Sequence, residues 1–129
     1  MTTTTEQTTL LWHIVKASPL AGIISGSVYK LQRPTDSKLE DIVVNAITID
    51  SELVQTGVAN LNIHVPDLVN GMPNTARIEQ LESIAKGIIL KGWGSNYTFF
   101  IENQQTIQDQ DAADNWFINF RIRFKFHNT

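Results

Sequence analysis

The chain has 129 residues with a formal charge of −3, and apolar and charged residues make up 42% and 18% of it. This balance argues against intrinsic disorder, and the acidic excess argues against a general duplex-binding domain. The absence of cysteine excludes disulfide scaffolds, thiol nucleophiles and cysteine-based zinc sites. No apolar run reaches the roughly 18 residues of a membrane span, and the threonine-rich start lacks the basic and apolar regions of a signal peptide.

The first half of the chain predicts a leader, one short helix and three strands. Residues 1–9 are mostly threonine, so we expect a flexible leader there and a single domain over residues 10–129. Apolar residues at helical spacing predict a first helix over about Glu6–Ala17, which Ser18-Pro19 ends. Strand propensity and alternation then predict strands at Val28–Leu31, Asp41–Ile49 and Gly57–Val65.

The second half predicts a longer helix followed by two strands. Apolar residues recur at helical spacing over Thr75–Leu90, with acids early and lysines late, as the helix dipole favours. Tyr97–Ile101 is predicted to be a strand that continues through Thr106-Ile107 within a polar connection. Trp116–Phe126 alternates strictly. One face carries Trp116, Ile118, Phe120, Ile122, Phe124 and Phe126, and the other carries Phe117 with the polar and basic residues Asn119, Arg121, Arg123 and Lys125.

These elements predict an α+β fold in two layers. Consecutive strands joined by short turns favour antiparallel pairing, so we expect a mostly antiparallel sheet of about five strands with two helices packed on one face. The shared periodic faces predict a hydrophobic core made of Leu11, Ile14, Val43, Ile47, Leu61, Ile63, Ile78, Leu81, Ile84, Phe120, Ile122 and Phe124.

The sequence lacks the motifs of common catalytic and cofactor sites. His13, His64 and His127 have no metal-ligand spacing, and the glycine-containing turns form neither a nucleophile elbow nor a phosphate loop. The acidic segment Asp109–Asp114 lacks the glycine and the terminal glutamate of a calcium-binding loop, and a solvated hairpin loop is the simpler interpretation. We therefore expect no enzyme activity and no bound metal or cofactor.

The strongest polar signal is a basic stripe, formed by Arg121, Arg123 and Lys125 on one face of the last strand. It has three interpretations: a solvated sheet face, an ion-pairing surface for the acidic connection of a neighbouring subunit, and a phosphate-binding surface, which the negative charge of the chain disfavours. The candidate subunit-interface residues are Arg121, Arg123, Lys125, His127, Glu102, Asp109, Asp111 and Asp114.

Several segments follow one another in a characteristic order. They are the short N-terminal helix, Gly26–Lys30 leading to Arg33-Pro34, Ser37–Asn45, Gly57–Asp67, the second helix and the terminal aromatic hairpin. This order resembles the tail terminator or tail-completion proteins of long-tailed bacteriophages and the related head-tail joining (neck) proteins of prophages. The resemblance is one of architecture and covers nearly the whole chain beyond Thr9.

In that family the subunits form a ring, commonly a hexamer, that caps the tail tube and joins it to the head. The resemblance implies a virion structural protein of the tail or neck, assembled in the host cytoplasm. It implies as partners copies of the same chain and tail-tube, neck or connector proteins, with no membrane, no sequence-specific nucleic acid and no catalytic residues. Two alternatives stay open: another non-enzymatic interaction module of a phage or mobile element, and a small enzyme using dispersed polar residues such as Asn60, Asn62, His64 and Arg121.

Overall fold

The structure is a computed structural model that describes residues 1–51, 54–109 and 114–127. The sheet has six strands in the order β1-β2-β3-β6-β5-β4, and neighbouring strands are antiparallel except β1 and β2, which are parallel. The predicted α+β fold with a mostly antiparallel sheet is confirmed. The elements are α1 (Thr4–Lys16), α2 (Leu20–Ile23), β1 (Val28–Lys30), β2 (Ile42–Ile49), β3 (Val54–Pro66), α3 (Thr75–Ile89), β4 (Lys91–Trp93), β5 (Tyr97–Gln108) and β6 (Asn115–His127).

Helix α1 begins before the predicted Glu6, so residues 4–9 of the segment assigned to a leader are helical. A capping box explains this start. The side chain of Thr3 accepts a hydrogen bond from the Glu6 amide, and the Glu6 carboxylate accepts one from the Thr3 amide, at 3.2 Å each. Threonine is a weak helix former, but Gln7 and Thr8 are buried against the rest of the fold. Tertiary burial and capping therefore outweigh local propensity.

The short elements α2 and β4 are absent from the sequence-based prediction. Helix α2 is a single turn after Pro19. Strand β4 forms around Gly92, where the ring of Phe99 occupies the space that a Cβ atom would need. The sequence-based prediction ends the preceding helix at Leu90 and has no strand at Gly92, because the packing of Gly92 against Phe99 depends on the neighbouring strand.

The core lies between the helices and one face of the sheet. The predicted alternation in β3 and β6 is confirmed, since their inward residues form one buried cluster with residues of α1 and α3. Predicted core residues found in this cluster are Leu11, Leu61, Ile63, Ile78, Leu81, Phe120, Ile122 and Phe124.

The other predicted core residues lie elsewhere. Ile14 and Ile84 are half-buried at the margin of the cluster. Val43 is buried on the opposite face of the sheet, next to a groove described below. Ile47 is 49% exposed, because Ile42 and Val44 take the inward positions of β2 and alternation places Ile47 on the other face with Val43, next to a bulge between Ala46 and Thr48.

Strand β5 is longer than the predicted Tyr97–Ile101, and its continuation through Thr106-Ile107 is confirmed. It pairs with β6 from Tyr97 to Gln108, with a bulge between Ile101 and Asn103. Strand β4 covers only Thr98–Phe100 on the other side. The hairpin of β5 and β6 therefore extends well beyond β4.

Candidate functional site

The sheet face opposite the helices, which we call the open face, carries the polar residues of the two central strands. On β6 these are Asn119, Arg121, Arg123 and Lys125, and on β3 they are Asn60, Asn62 and His64. Strict alternation places them here, because every second side chain of a strand points away from the core. The basic stripe predicted from the sequence therefore lies on the open face.

One of the three cations of the stripe is neutralised within the chain. Arg123 donates to the Glu102 carboxylate from Nε at 3.1 Å and from Nη2 at 2.6 Å. Arg121 and Lys125 are exposed and form no ion pair with any residue that the structure describes. Arg121 and Lys125 lie one on each side of the internal Arg123–Glu102 pair. They are the two cations of the stripe that are available to an external partner.

The acidic interface candidates of the hairpin also have partners within the chain. Besides the Glu102 pair, Asp114 lies 2.6 Å from Nζ of Lys38, and Asp109 lies 3.7 Å from Nη2 of Arg33. Asp111 lies outside the described residues. Glu102, Asp109 and Asp114 therefore each have a cation within the chain, and their contact with a neighbouring subunit stays a prediction.

A groove of about 460 Å³ lies between the open face and the loop that joins β1 to β2. Its floor combines apolar, amide and titratable side chains of the sheet, and the loop forms one wall. The groove is lined by Leu31, Gln32, Arg33, Pro34, Thr35, Asp36, Ser37, Lys38, Val43, Asn45, Asn62, His64, Asp109 and Phe117.

Asp41 holds the wall of the groove in place. Its carboxylate is fully buried and accepts hydrogen bonds from the Ser27 amide at 3.2 Å, from the Ser37 hydroxyl and from Nη1 of Arg33 at 3.4 Å. These bonds tie the β1–β2 loop, through Arg33 and Ser37, and the residue before β1, Ser27, to the start of β2. Asp41 therefore has a structural role, which is also the simpler interpretation of an acid placed before a buried strand.

Glu40, beside Asp41, joins three elements. Arg77 of α3 donates to it from Nε at 2.7 Å and from Nη2 at 2.9 Å, and Nη2 also donates to the Ile23 carbonyl of α2 at 2.6 Å. The hydrogen bond from Arg77 is the main reason why the pKa of Glu40 lies below its usual value. The Glu40-Asp41 pair thus serves packing rather than acid–base chemistry.

His64 is a largely buried titratable group of the groove, and 12% of its side chain is exposed. Its Nδ1 atom lies 3.2 Å from Oδ1 of Asn115 and 3.6 Å from the Asp109 carboxylate. Burial, followed by the nearby charge of Arg33, lowers the pKa of His64, and the opposing effects of Asn115 and Asp109 are smaller. The imidazole is therefore neutral at pH 7, and the contact with Asp109 is not a charged pair at that pH.

Protonation of His64 is expected to destabilise the fold at mildly acidic pH. The folded pKa lies below the unfolded value of about 6.5, so the contribution of His64 is complete above that pH and is lost as the pH falls through the lowered pKa. We expect the unfolding free energy of wild type, from urea titrations, to fall more between pH 7.5 and pH 5 than that of His64→Gln. His13→Gln, at an exposed helix position, is the control and should retain the wild-type decline. Equal declines in His64→Gln and wild type would contradict the assignment.

Of the dispersed polar residues considered for a small enzyme, Asn62 and His64 line the groove, whereas Asn60 and Arg121 are not among its lining residues. The Asn119 amide donates to Oδ1 of Asn60 at 3.1 Å and to Oδ1 of Asn62 at 2.7 Å. Asn60 and Asn62 are thereby occupied with a neighbouring strand, while Arg121 lies on the exposed surface. Among the described residues, no group of three or more histidine, cysteine or acidic side chains could hold a metal ion, and no helix is long and apolar enough to cross a bilayer.

The comparisons with known proteins find a similarity of structure. No protein-family model and no curated protein matches this chain. A chain in the virion of a native gene transfer agent (GTA) particle has a similar structure, with a TM-score of 0.60 at 11% sequence identity. The similarity covers 92% of this chain and 92% of that chain. The two chains therefore share their fold over nearly their whole lengths.

Sequence reasoning found the stripe but missed the groove and its charged residues. Arg33, His64 and Asp109 come from three distant parts of the chain and meet only because the β1–β2 loop folds over the open face. One signal was present, since an arginine followed by Pro34 in a turn-rich segment marks a shaped loop. Nothing in the spacing of these residues indicates which strand the loop approaches.

Proposed function

We propose that this protein is a non-enzymatic structural subunit of a phage-like virion. The observation that carries the proposal is the shared fold with a virion chain of a gene transfer agent over 92% of both chains. The open face supports it, because Asn119 donates hydrogen bonds to Asn60 and Asn62, and Arg123 pairs with Glu102. These contacts do not form a catalytic arrangement.

Within the virion, we propose the role of a tail terminator or neck protein that forms a ring, such as a hexamer, at the junction of tail tube and head. The order of elements supports this role through its resemblance to tail-completion proteins. Its partners are then copies of the same chain and the tail-tube and connector proteins. Two surfaces of one subunit must meet head to tail in such a ring, so each subunit needs complementary patches on different sides.

The open face supplies one such patch. Arg121 and Lys125 project from it and form no ion pair with a described residue. Acids of another molecule would reduce the repulsion between these like charges. The matching acids are those of the hairpin in the next copy. Asp114 and Lys38 form an exposed pair, and exposed pairs are weak enough to exchange for another cation. Several such contacts in every interface add up over a closed ring.

Reversing both available cations is expected to prevent ring closure without unfolding the subunit. We expect wild type to sediment as a ring at low salt and the ring to dissociate at high salt, because salt screens surface ion pairs. We expect Arg121→Glu/Lys125→Glu to sediment below the size of a ring at both salt concentrations, because it lacks the two cations. This variant retains the Arg123–Glu102 pair, and circular dichroism checks its fold.

The matched control is Lys16→Glu/Lys86→Glu, which makes the same change in net charge on the exposed sides of α1 and α3. It should assemble like wild type, and negative-stain images should show rings for both. A folded Arg121→Glu/Lys125→Glu protein that still forms rings would reject the stripe as the contact. A wild-type protein that stays monomeric at all concentrations would reject the ring and favour another interaction module.

A further inference from the structure

The two edges of the sheet differ in how their backbone groups are used. At the β1–β2 edge, Nε1 of Trp12 donates to the Val28 carbonyl at 3.0 Å, and Oγ1 of Thr8 accepts a hydrogen bond from the Ala46 amide at 3.0 Å. Both side chains belong to α1, which therefore covers this edge. Edge strands protected in this way do not recruit further strands.

The opposite edge is open for half of its length. Strand β4 covers β5 at Thr98–Phe100, and the Ile101 amide donates to the Leu90 carbonyl at 3.1 Å. From Asn103 to Gln108, β5 pairs with β6 and with no other strand that the structure describes. We call this segment the β5 open edge. It begins where β4 ends, so β4 leaves a recess beside it.

The hydrogen-bond pattern identifies the groups that face outward. The Asp109 amide donates to the Asn115 carbonyl at 3.0 Å, so the antiparallel ladder directs Gln105 and Ile107 toward β6. Gln104 and Thr106 then direct their backbone groups away from the sheet. The Gln104 amide is bonded to the side chain of Asn103 at 2.8 Å, whereas the backbone amide and carbonyl of Thr106 have no partner among the described residues.

The composition of the β5 open edge does not protect it. Proteins usually block an edge with lysine, proline, an inward charge or a covering element, and residues 103–108 contain no charged residue and no proline. They are mostly amides, which form ladders readily when strands stack. An uncharged edge also means that two copies can approach it without bringing like charges together.

We propose that the β5 open edge pairs antiparallel with the same edge of a second copy of this chain. A two-fold axis beside Gln105 places this residue opposite Gln105 of the second copy. The backbone amide and carbonyl of Gln104 then pair with those of Thr106 of the second copy. By symmetry, the backbone groups of Thr106 pair with those of Gln104 of the second copy. The β5 open edge of each copy then lies next to the end of β4 of the other copy. The two sheets thereby become one continuous sheet.

This contact goes beyond the proposed ring. A two-fold contact is isologous and closes at two copies, whereas a ring contact is heterologous. The two contacts also use different surfaces, since the β5 open edge is a backbone edge and the stripe lies on the open face. They can therefore be tested separately, and the edge contact is best measured in the Arg121→Glu/Lys125→Glu background, where we expect no rings.

The first test is Thr106→Pro in that background. Proline removes an amide that faces outward and leaves the ladder between β5 and β6 intact, a position where edge strands tolerate it. We expect the background protein to sediment as a dimer, Thr106→Pro as a folded monomer, and the matched control Thr106→Ala as a dimer. A background protein that is monomeric at high concentration, or a folded Thr106→Pro protein that remains dimeric, overturns the proposal.

The second test does not depend on the tolerance of β5 for proline. The chain has no cysteine, so Gln105→Cys introduces one thiol that faces its own copy across the two-fold axis. Opposite residues at a non-hydrogen-bonded position have Cα atoms about 4.5 Å apart, which permits a disulfide. We expect Gln105→Cys to form a covalent dimer on mild oxidation, and Asn103→Cys, which would face Ile107 of the second copy, to remain uncrosslinked. Equal cross-linking of the two variants overturns the proposed register.

Discussion

Replacing Phe120 with alanine is expected to lower the unfolding free energy by about 3–5 kcal/mol, the usual cost of removing a buried aromatic ring. Phe120 lies in the centre of β6, is 1% exposed and belongs to the main core cluster. The loss combines the transfer of the ring to water with the cavity that remains. Urea unfolding followed by circular dichroism measures it.

Phe100→Ala is the matched control, since Phe100 lies on the adjacent strand β5 but is 41% exposed. Its replacement leaves no closed cavity, so we expect a loss below about 1 kcal/mol. A loss of that size for Phe120→Ala would mean that this face of β6 is not the core and that the sheet packs differently.

Replacing Asp41 with alanine is expected to cost a similar amount, about 3–5 kcal/mol, because it breaks a buried ion pair by removing one partner. The carboxylate is fully buried, and its loss leaves the Ser27 amide without its acceptor and removes one of the two carboxylates beside the Arg33 guanidinium. The β1–β2 loop should also loosen, which amide hydrogen exchange of residues 27–41 would detect.

Asp114→Ala is the control for this effect. It removes a carboxylate that also pairs with a cation, Lys38, but at an exposed position, where ion pairs contribute little to stability. We therefore expect unfolding close to that of wild type. Similar losses for Asp41→Ala and Asp114→Ala would show that burial of Asp41 does not determine its contribution.

The surfaces of this protein suggest an order of assembly. The β5 open edge offers backbone groups that do not respond to salt, whereas the stripe offers charges that do. If both proposals hold, dimers persist at high salt and larger particles form only at low salt. Sedimentation over a range of salt concentrations thus separates the two contacts in the wild-type protein as well.

Much of the fold follows from local patterns. Strict alternation in β3 and β6 predicts both faces of the two central strands, because a period of two allows only two orientations. Apolar spacing predicts α3 in the same way. The misplaced residues are those that the local pattern does not decide. The continuous apolar run of β2 does not show which of its faces is the core, so Val43 and Ile47 were predicted on the wrong face, and the capping box starts α1 earlier than predicted, at Thr4.

The candidate site was less predictable than the fold. The stripe follows from spacing, since Arg121, Arg123 and Lys125 must share a face. The pairing of Arg123 with Glu102 does not, because the bulge between Ile101 and Asn103 sets the register of β5 against β6. A shift of one residue would move Glu102 to the other face and leave all three cations without an internal partner.

The sequence by itself determined the class of fold, the buried faces of the central strands and the position of the basic stripe, because each depends on periodicity along a single element. Only the tertiary structure decided which charges have partners, where the groove lies and which sheet edge stays open. These features depend on contacts between elements far apart in the chain, such as α1 against β2 and the β1–β2 loop against β3. Such contacts depend on how the whole core packs, and a pattern within one element does not contain that information.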